Sequence, residues 1–217
     1  MKKKTTTLKF PLIEEAMIKD GVRHEDSRGQ QTYLFSDYEV PTYIDENLQH
    51  DMRYYQQTAI RYFHYSQEKT LPPQQVLFNM STGSGKTDLM SALILYLYQE
   101  HGYQNFLFTV NTNSVLMKTR DNLVNKLSEK YLFNSKIEID GQRIIIREVD
   151  KFKISPQKNV IYIKLSSVQK ISDDLFGQEE NKMSLVDYGK NPIVILADEA
   201  HHYSAMTKKR MVKKQRR

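Results

Sequence analysis

The stretch FNMSTGSGKTD, residues 78–88, decides how the rest of the chain is interpreted. A phosphate chain needs several converging hydrogen-bond donors, and glycines let a backbone turn tightly enough to present its N–H groups. Gly83 and Gly85 meet this need, while Lys86 can reach phosphate oxygens and the Thr87 hydroxyl can hold Mg²⁺. The stretch therefore predicts a phosphate-binding loop of the Walker A type.

The flanks of this loop supply the expected context. The general pattern GxxxxGK[ST] has glycine where this chain has Met80, so the match to the broad motif is incomplete. The apolar run QVLFNM, residues 75–80, predicts a buried strand before the loop. The residues after the loop predict a helix over 86–100 that ends at Gly102.

A second motif follows much later, in ILADEAHH, residues 195–202. Asp198 and Glu199 directly follow a strand predicted over 193–197. One carboxylate there can bind Mg²⁺, and its neighbour can orient an attacking water, which is most of what phosphoryl transfer requires. Together with the phosphate loop, the pair predicts a nucleotide-hydrolysing site.

Strands and helices alternate between these motifs, which predicts an α/β fold with a parallel sheet. Further strands are expected in NFLFTVNT and NVIYIKL, and helices over 53–65, over 114–130 with Asn113 as its cap, and in SVQKISDDLF.

The stretch KIEIDGQRIIIREV predicts a β-hairpin inserted on the sheet. Asp140 and Gly141 suit a type I′ turn. That turn sets Ile137 opposite Ile144 and Glu138 opposite Arg143.

Composition excludes several classes of protein. The absence of cysteine excludes a disulfide framework and a thiolate zinc site, and it fits a cytoplasmic protein. The longest apolar run, LILYLY, is too short to span a bilayer, and the basic N-terminus lacks the apolar core of a signal peptide. The net charge is +6, but residues 208–217 hold seven Lys or Arg and no acid. Charge alone is therefore weak support for nucleic-acid binding, because such a tail is commonly a solvated charge run.

The quoted motifs resemble those of superfamily 2 helicases and translocases, whose phosphate loop commonly reads TGxGKT. STGSGKT and DEAH match their first and second motifs, and MRYYQQTAI matches the upstream RxYQxxAI element of restriction motors. LSSVQKI is similar to an element of those motors that touches the nucleic-acid backbone. Over about residues 50–206, the chain most resembles the helicase (Res) subunit of type III restriction enzymes.

The resemblance implies ATP and Mg²⁺ as cofactors and gives each matching residue a role. Nucleotide binding falls to residues of the upstream element and the loop, with Gln56 reading the adenine edge: Arg53, Gln56, Thr82, Gly83, Ser84, Gly85, Lys86 and Thr87. Thr87 and Asp198 hold the metal, Glu199 and Lys86 are catalytic, and His201 relays the nucleotide state. The polar residues expected to face the DNA backbone are Asn111, Thr112, Ser167 and Gln169. The stretch 109–114 could equally be a polar cap for the following helix.

The resemblance also implies a domain plan and partners. We expect an N-terminal extension over 1–50, a RecA-like ATP-binding domain over 51–206 with the hairpin at about 136–150, and a basic tail over 207–217. The implied partners are double-stranded DNA, a modification methyltransferase subunit and a second RecA-like domain, with no membrane.

Two family features are missing from the sequence. The arginines of the second domain usually lie in QxxGRxxR, and this chain has no Gly-Arg dipeptide. The family's third motif lies on a strand between the phosphate-loop strand and the DEAH strand, and nothing after Asp198 provides it. We therefore expect a fragment of a longer motor. The alternatives are a truncated nucleotide-binding module without turnover, and a superfamily 2 helicase acting in repair or on RNA.

Overall fold

The computed structural model describes residues 13, 23–25, 31–33, 38–69, 75–152, 155–171 and 192–198, with the backbone alone at 23–25, 31–33 and 69. The chain divides into two compact units, each made of two segments: Met1–Thr42 with Met52–Ser84, and Tyr43–Asp51 with Gly85–Arg217. The predicted basic tail lies outside the described residues, as does most of the predicted N-terminal extension.

The described part of the chain holds four named helices and seven named strands. The helices are α1 Thr42–Glu46, α2 Tyr54–Lys69, α3 Lys86–His101 and α4 Asn113–Leu123. The strands are β1 Arg23–Glu25, β2 Gln31–Tyr33, β3 Asn105–Val110, β4 Ile137–Ile139, β5 Gln142–Glu148, β6 Val160–Ser167 and β7 Ile193–Ala197.

The first unit contains α2 and the antiparallel pair β1–β2. Ile60 and Tyr65 are buried on α2. The ring of Tyr38 stacks on His64 with 3.6 Å between ring centroids, and the Arg61 Nε donates to the Tyr38 carbonyl over 3.3 Å. These contacts fix the segment before α1 onto one face of α2.

The second unit is organised by a five-stranded sheet in the order β4-β5-β6-β3-β7. The β5–β6, β6–β3 and β3–β7 pairs are parallel, and β4–β5 is antiparallel. All six residues of β3 are buried, as expected of a parallel strand covered on both faces. Together with the flanking helices, this sheet confirms the predicted α/β, RecA-like class.

The helix after the phosphate loop forms as the sequence predicts. Gly102 adopts a left-handed conformation with φ +69°, and its N–H donates to the Tyr98 carbonyl over 3.1 Å. The Tyr103 N–H donates to the Leu97 carbonyl over 3.1 Å, so two carbonyls near the end of the helix are satisfied by the residues that follow it.

The hairpin also follows the sequence. Ile137 pairs with Ile144 and Glu138 with Arg143, as the turn predicts. Asp140 and Gly141 have φ of +52° and +71°, the positive values that a type I′ turn requires.

Asn47 joins the short segment around α1 to this hairpin. Its side chain is 2% exposed, and its Nδ2 donates to the carbonyls of Tyr43 and Glu138 over 2.8 Å each. The Asn47 Oδ1 accepts the Glu138 N–H over 2.8 Å. The Gln49 N–H adds a bond to the Leu132 carbonyl over 2.8 Å. This network places Tyr43–Asp51 in the second unit, beside the hairpin.

The buried strand predicted over residues 75–80 is wrong. The segment has no strand assignment, and Leu77 is 80% exposed. The ring of Phe78 lies instead 6.0 Å from that of Phe63 on α2. A strand is held by ladder bonds to a neighbour, and none of the described strands pairs with this segment. An apolar run by itself does not supply that neighbour.

The predicted start and end of α4 are also corrected. Its cap is Thr112, not Asn113, because Thr112 has the extended backbone of a capping residue and its Oγ1 accepts the Val115 N–H over 3.4 Å. The helix ends at Leu123 rather than continuing to 130. The Asn125 Oδ1 accepts the Leu127 N–H over 3.3 Å, a local turn that competes with helix.

Two expectations concern other parts of the chain. A helical turn begins at residue 168 as predicted for SVQKISDDLF, and residues 172–176 of that stretch lie outside the described residues. None of the helices in the described ranges combines the length and the apolar character needed to cross a bilayer.

Replacing Gly141 by alanine should destabilise the hairpin. An added Cβ meets nothing within 4 Å, so the cost comes from the positive φ alone and should be about 1 kcal/mol. Urea unfolding of the two proteins measures the difference. Gly141→Asn is the matched control and should cost less, because asparagine tolerates this conformation. Equal stability of the alanine variant and the wild type would contradict the assignment of the turn.

Tyr131 should make the protein sensitive to high pH. Burial raises the pKa of its hydroxyl from 10.0 to about 12, and no hydrogen-bond partner for that hydroxyl lies among the described residues. The unfolded state loses this proton first, so the stability linked to it is full below pH 10 and lost as the pH rises to about 12. Tyr131→Phe should therefore lose less stability over that range than wild type in urea unfolding. Tyr54→Phe, at a residue 69% exposed, should follow the wild-type profile.

Candidate nucleotide-binding site

The phosphate loop is shaped by its two glycines. Gly83 and Gly85 have φ of +79° and +73°, a left-handed conformation that favours glycine. Between them, Ser84 bonds back to the Ser81 carbonyl through its N–H over 3.3 Å and through its Oγ over 2.7 Å. The loop is therefore a tight turn whose side chains are small.

The loop runs directly into α3, which begins at Lys86. The Gly85 carbonyl accepts the Leu89 N–H over 3.0 Å, so Gly85 is the N-cap residue of this helix. Helix N-termini present N–H groups and the positive end of the helix dipole, an arrangement suited to anions. Lys86 and Thr87, the predicted phosphate and metal ligands, are thus the first two residues of this helix.

The start of α2 contacts this loop within the first unit. Gln56 is 3% exposed, and its Oε1 accepts the Arg53 N–H over 2.8 Å, which is one half of a capping box. Its Nε2 donates to the Ser84 carbonyl over 3.4 Å. Tyr55, which the sequence analysis did not assign, donates its hydroxyl to the same carbonyl over 2.9 Å. The signal for Tyr55 was present, since it belongs to the upstream element that contains Gln56.

The parallel register brings several predicted residues to one edge of the sheet. Val110 pairs with Ser167, and Thr109 pairs with Ala197, so β3, β6 and β7 end at the same level. The Asp198 N–H donates to the Thr109 carbonyl over 3.1 Å, which extends the ladder past β7. The predicted metal ligand and the predicted nucleic-acid residues that follow β3 and β6 therefore share the carboxyl edge.

The hydroxyls at this edge have structural partners. Thr112 caps α4, as described above, and the Ser167 Oγ accepts the Lys170 N–H over 3.2 Å at the next helical turn. Asn111 differs, because its Oδ1 is buried without a hydrogen-bond partner among the described residues. A buried amide oxygen without a partner is costly, so Asn111 is the member of this group that most needs a further donor.

A second unassigned contact supports the first turn of α3. The His50 Nδ1 lies 2.9 Å from the Oδ1 of Asp88, the residue that follows Thr87. At the other end of the helix, the Tyr43 hydroxyl donates to the Glu100 carboxylate over 2.9 Å. The segment Tyr43–Asp51 therefore holds both ends of α3. Neither His50 nor Tyr43 belongs to a recognised motif, so nothing in the sequence predicted these two contacts.

The remaining predicted residues have different outcomes. Thr82 lies in the loop and Gln169 in the helical turn after β6, whereas Glu199 and His201 lie outside the described residues. Within the described ranges, no three His, Asp or Glu side chains gather into a metal cluster. The predicted magnesium site needs none, since it takes only Thr87 and Asp198 from the protein. That these two meet at one metal stays a prediction.

Comparisons with known proteins identify the family to which the chain is similar. Residues 49–217 match a family described as type III restriction enzyme, Res subunit. A curated relative from Haemophilus influenzae, the probable type III restriction-modification enzyme HindVIP Res subunit, is 40% identical over 189 residues, which cover 82% of this chain and 35% of the relative. No solved structure matches. The family match spans the phosphate loop and the whole five-stranded sheet, and the chain therefore belongs to the family of type III restriction enzyme Res subunits.

Proposed function

We propose that this chain is the ATP-binding half of an ATP-dependent DNA translocase or helicase motor in a type III restriction-modification system. The observation that carries the proposal is the glycine turn at Gly83 and Gly85 leading directly into α3 at Lys86, in a chain of the Res family. A turn of this kind at a helix N-terminus is suited to a triphosphate.

The proposed chemistry is hydrolysis of Mg-bound ATP. Thr82, Ser84 and the two glycines line the phosphates, Lys86 neutralises charge on them, and Thr87 with Asp198 holds Mg²⁺. Glu199 positions the attacking water. Such catalysis consists chiefly of positioning and charge stabilisation, which is why a few polar groups at loop and strand ends suffice.

Gln56 is proposed to read the adenine edge, since an amide both donates and accepts. Its position supports a second effect, because the same amide already bonds Arg53 and Ser84. Adenine binding at Gln56 would therefore act on the cap of α2 and on the phosphate loop together.

The carboxyl edge of the sheet is the proposed contact with duplex DNA. Asn111 and Thr112 follow β3, Ser167 is the last residue of β6, and Gln169 lies in the helical turn after β6. With two of these hydroxyls engaged as helix caps, backbone phosphates would meet the N–H groups of the capped turns, which suits contacts that do not read sequence. His201 is proposed to relay the nucleotide state to a second RecA-like domain, and a methyltransferase subunit is the proposed partner for site recognition.

The second candidate is a nucleotide-binding module without turnover of its own. The lack of a Gly-Arg dipeptide favours it for these 217 residues, because motors of this kind take transition-state arginines from a second domain. Such an arginine is worth on the order of 10³-fold in rate or more. The two candidates share the ATP site and differ in hydrolysis.

Lys86→Ala should weaken binding of a fluorescent ATP analogue in the presence of Mg²⁺. Loss of a charged hydrogen bond costs roughly 1.5–3 kcal/mol, which corresponds to about a tenfold to hundredfold rise in Kd. Lys130→Ala, at an exposed lysine outside the motifs, is the matched control and should bind as wild type does.

The same two variants separate the candidates when ATP hydrolysis is measured with and without duplex DNA. Turnover that DNA stimulates and Lys86→Ala abolishes would rule out the inert module. Binding without turnover would support it. If Lys86→Ala binds the analogue as tightly as wild type, the ATP site itself is wrong.

Gln56→Ala should reduce the preference for ATP over GTP, because an amide suited to the adenine edge is lost. It should also lower stability without nucleotide by about 1 kcal/mol, since the Arg53 N–H loses its cap. Gln57→Ala, at the neighbouring glutamine of α2, should leave the ATP preference unchanged. Competition binding gives the preference, and urea unfolding gives the stability. A Gln56→Ala variant that keeps full ATP preference would argue against adenine recognition by Gln56.

A further inference from the structure

The Ser84 carbonyl receives two hydrogen bonds from consecutive residues of α2. The Tyr55 hydroxyl donates over 2.9 Å, and the Gln56 Nε2 donates over 3.4 Å. The Tyr55 bond is the shorter of the two and therefore the stronger. One peptide group in the middle of the phosphate loop is thus held from outside the loop.

Within the loop, Ser84 is bonded to the Ser81 carbonyl through its N–H and its Oγ, whereas its own carbonyl is bonded by residues of α2. The glycines at positions 83 and 85 allow a wide range of backbone angles. The peptide plane between Ser84 and Gly85 could therefore rotate at little cost. A planar trans peptide carries its C=O and N–H on opposite sides. Fixing the Ser84 carbonyl therefore also fixes the direction of the Gly85 N–H.

Arg53 sets the direction of the Tyr55 bond. Its Nη1 lies 3.0 Å from the Tyr55 oxygen, and a guanidinium has donors only. The Tyr55 oxygen must then accept from Arg53 and donate its own proton to Ser84. A cationic donor on the oxygen polarises the hydroxyl and strengthens the bond it gives.

We propose that Tyr55 is a positioning residue of the phosphate loop. Its hydroxyl, oriented by Arg53, holds the Ser84 carbonyl and so aims the Gly85 N–H at the bound phosphate chain. This role rests on the proposed ATP site and adds to it a residue that recognises neither base nor metal. In this role Arg53 acts on the loop indirectly, by orienting the Tyr55 hydroxyl.

The test is calorimetric titration of the 217-residue chain with three ligands in the presence of Mg²⁺: ATP, inorganic tripolyphosphate and adenosine. Tyr55→Phe removes the bond to the Ser84 carbonyl together with the bond from Arg53, and it should raise the Kd for ATP and for tripolyphosphate about fivefold each. Its affinity for adenosine should equal that of wild type, because adenosine carries no phosphate. A general loss of folding would weaken all three ligands together.

Two further variants complete the design. Tyr54→Phe removes a hydroxyl from the neighbouring, 69% exposed tyrosine and should leave all three affinities at wild-type values. Replacing Tyr55 by 4-aminophenylalanine restores a donor at the ring para position and should recover most of the lost tripolyphosphate affinity.

The outcomes are separable. Tripolyphosphate binding by Tyr55→Phe within twofold of wild type overturns the positioning role. Weakened ATP binding with unchanged tripolyphosphate binding also overturns it, because it places Tyr55 at the base instead. A wild-type chain that binds neither ATP nor tripolyphosphate overturns the proposed function, whatever the variants do.

Discussion

The parallel ladder on both sides of β3 is the constraint on which the second unit depends. Because β3 is buried and pairs with β6 and β7 at once, its register fixes where all three strands end. Polar residues that follow each strand must then lie at the same edge, whatever loops connect them. Asp198 extends this ladder through its N–H, so this residue is placed by a backbone bond rather than by its side chain.

The phosphate loop depends on a different kind of support. Glycines give it the shape that an anion needs, but the same freedom means that specific hydrogen bonds must fix the direction of its peptide groups. Side chains at the start of α2 supply that direction through the Ser84 carbonyl. Strand ends are thus placed by regular pairing, and the loop by two specific side chains. A change of either support would disturb the site without touching a residue of the phosphate loop itself.

The sequence predicted those features that follow from local chemistry. Gly102, the Asp140–Gly141 turn and the hairpin register are as expected, because each depends on residues close in the chain. The prediction of a strand at residues 75–80 was wrong because a strand requires a neighbouring strand, which a local pattern cannot guarantee. The cap of α4 is Thr112, one position before the predicted Asn113, and both side chains suit that role. The contacts of His50 and Tyr55 join residues distant in sequence, so a local pattern could not predict their partners.

Asn47 has a consequence for how this family can diversify. Within the hairpin its amide bonds only to the main-chain N–H and C=O of Glu138, so that joint does not depend on which side chain occupies position 138. Exposed hairpin side chains can drift in evolution while the attachment survives. The hairpin is therefore a place where related chains can acquire new surface chemistry without rebuilding their scaffold.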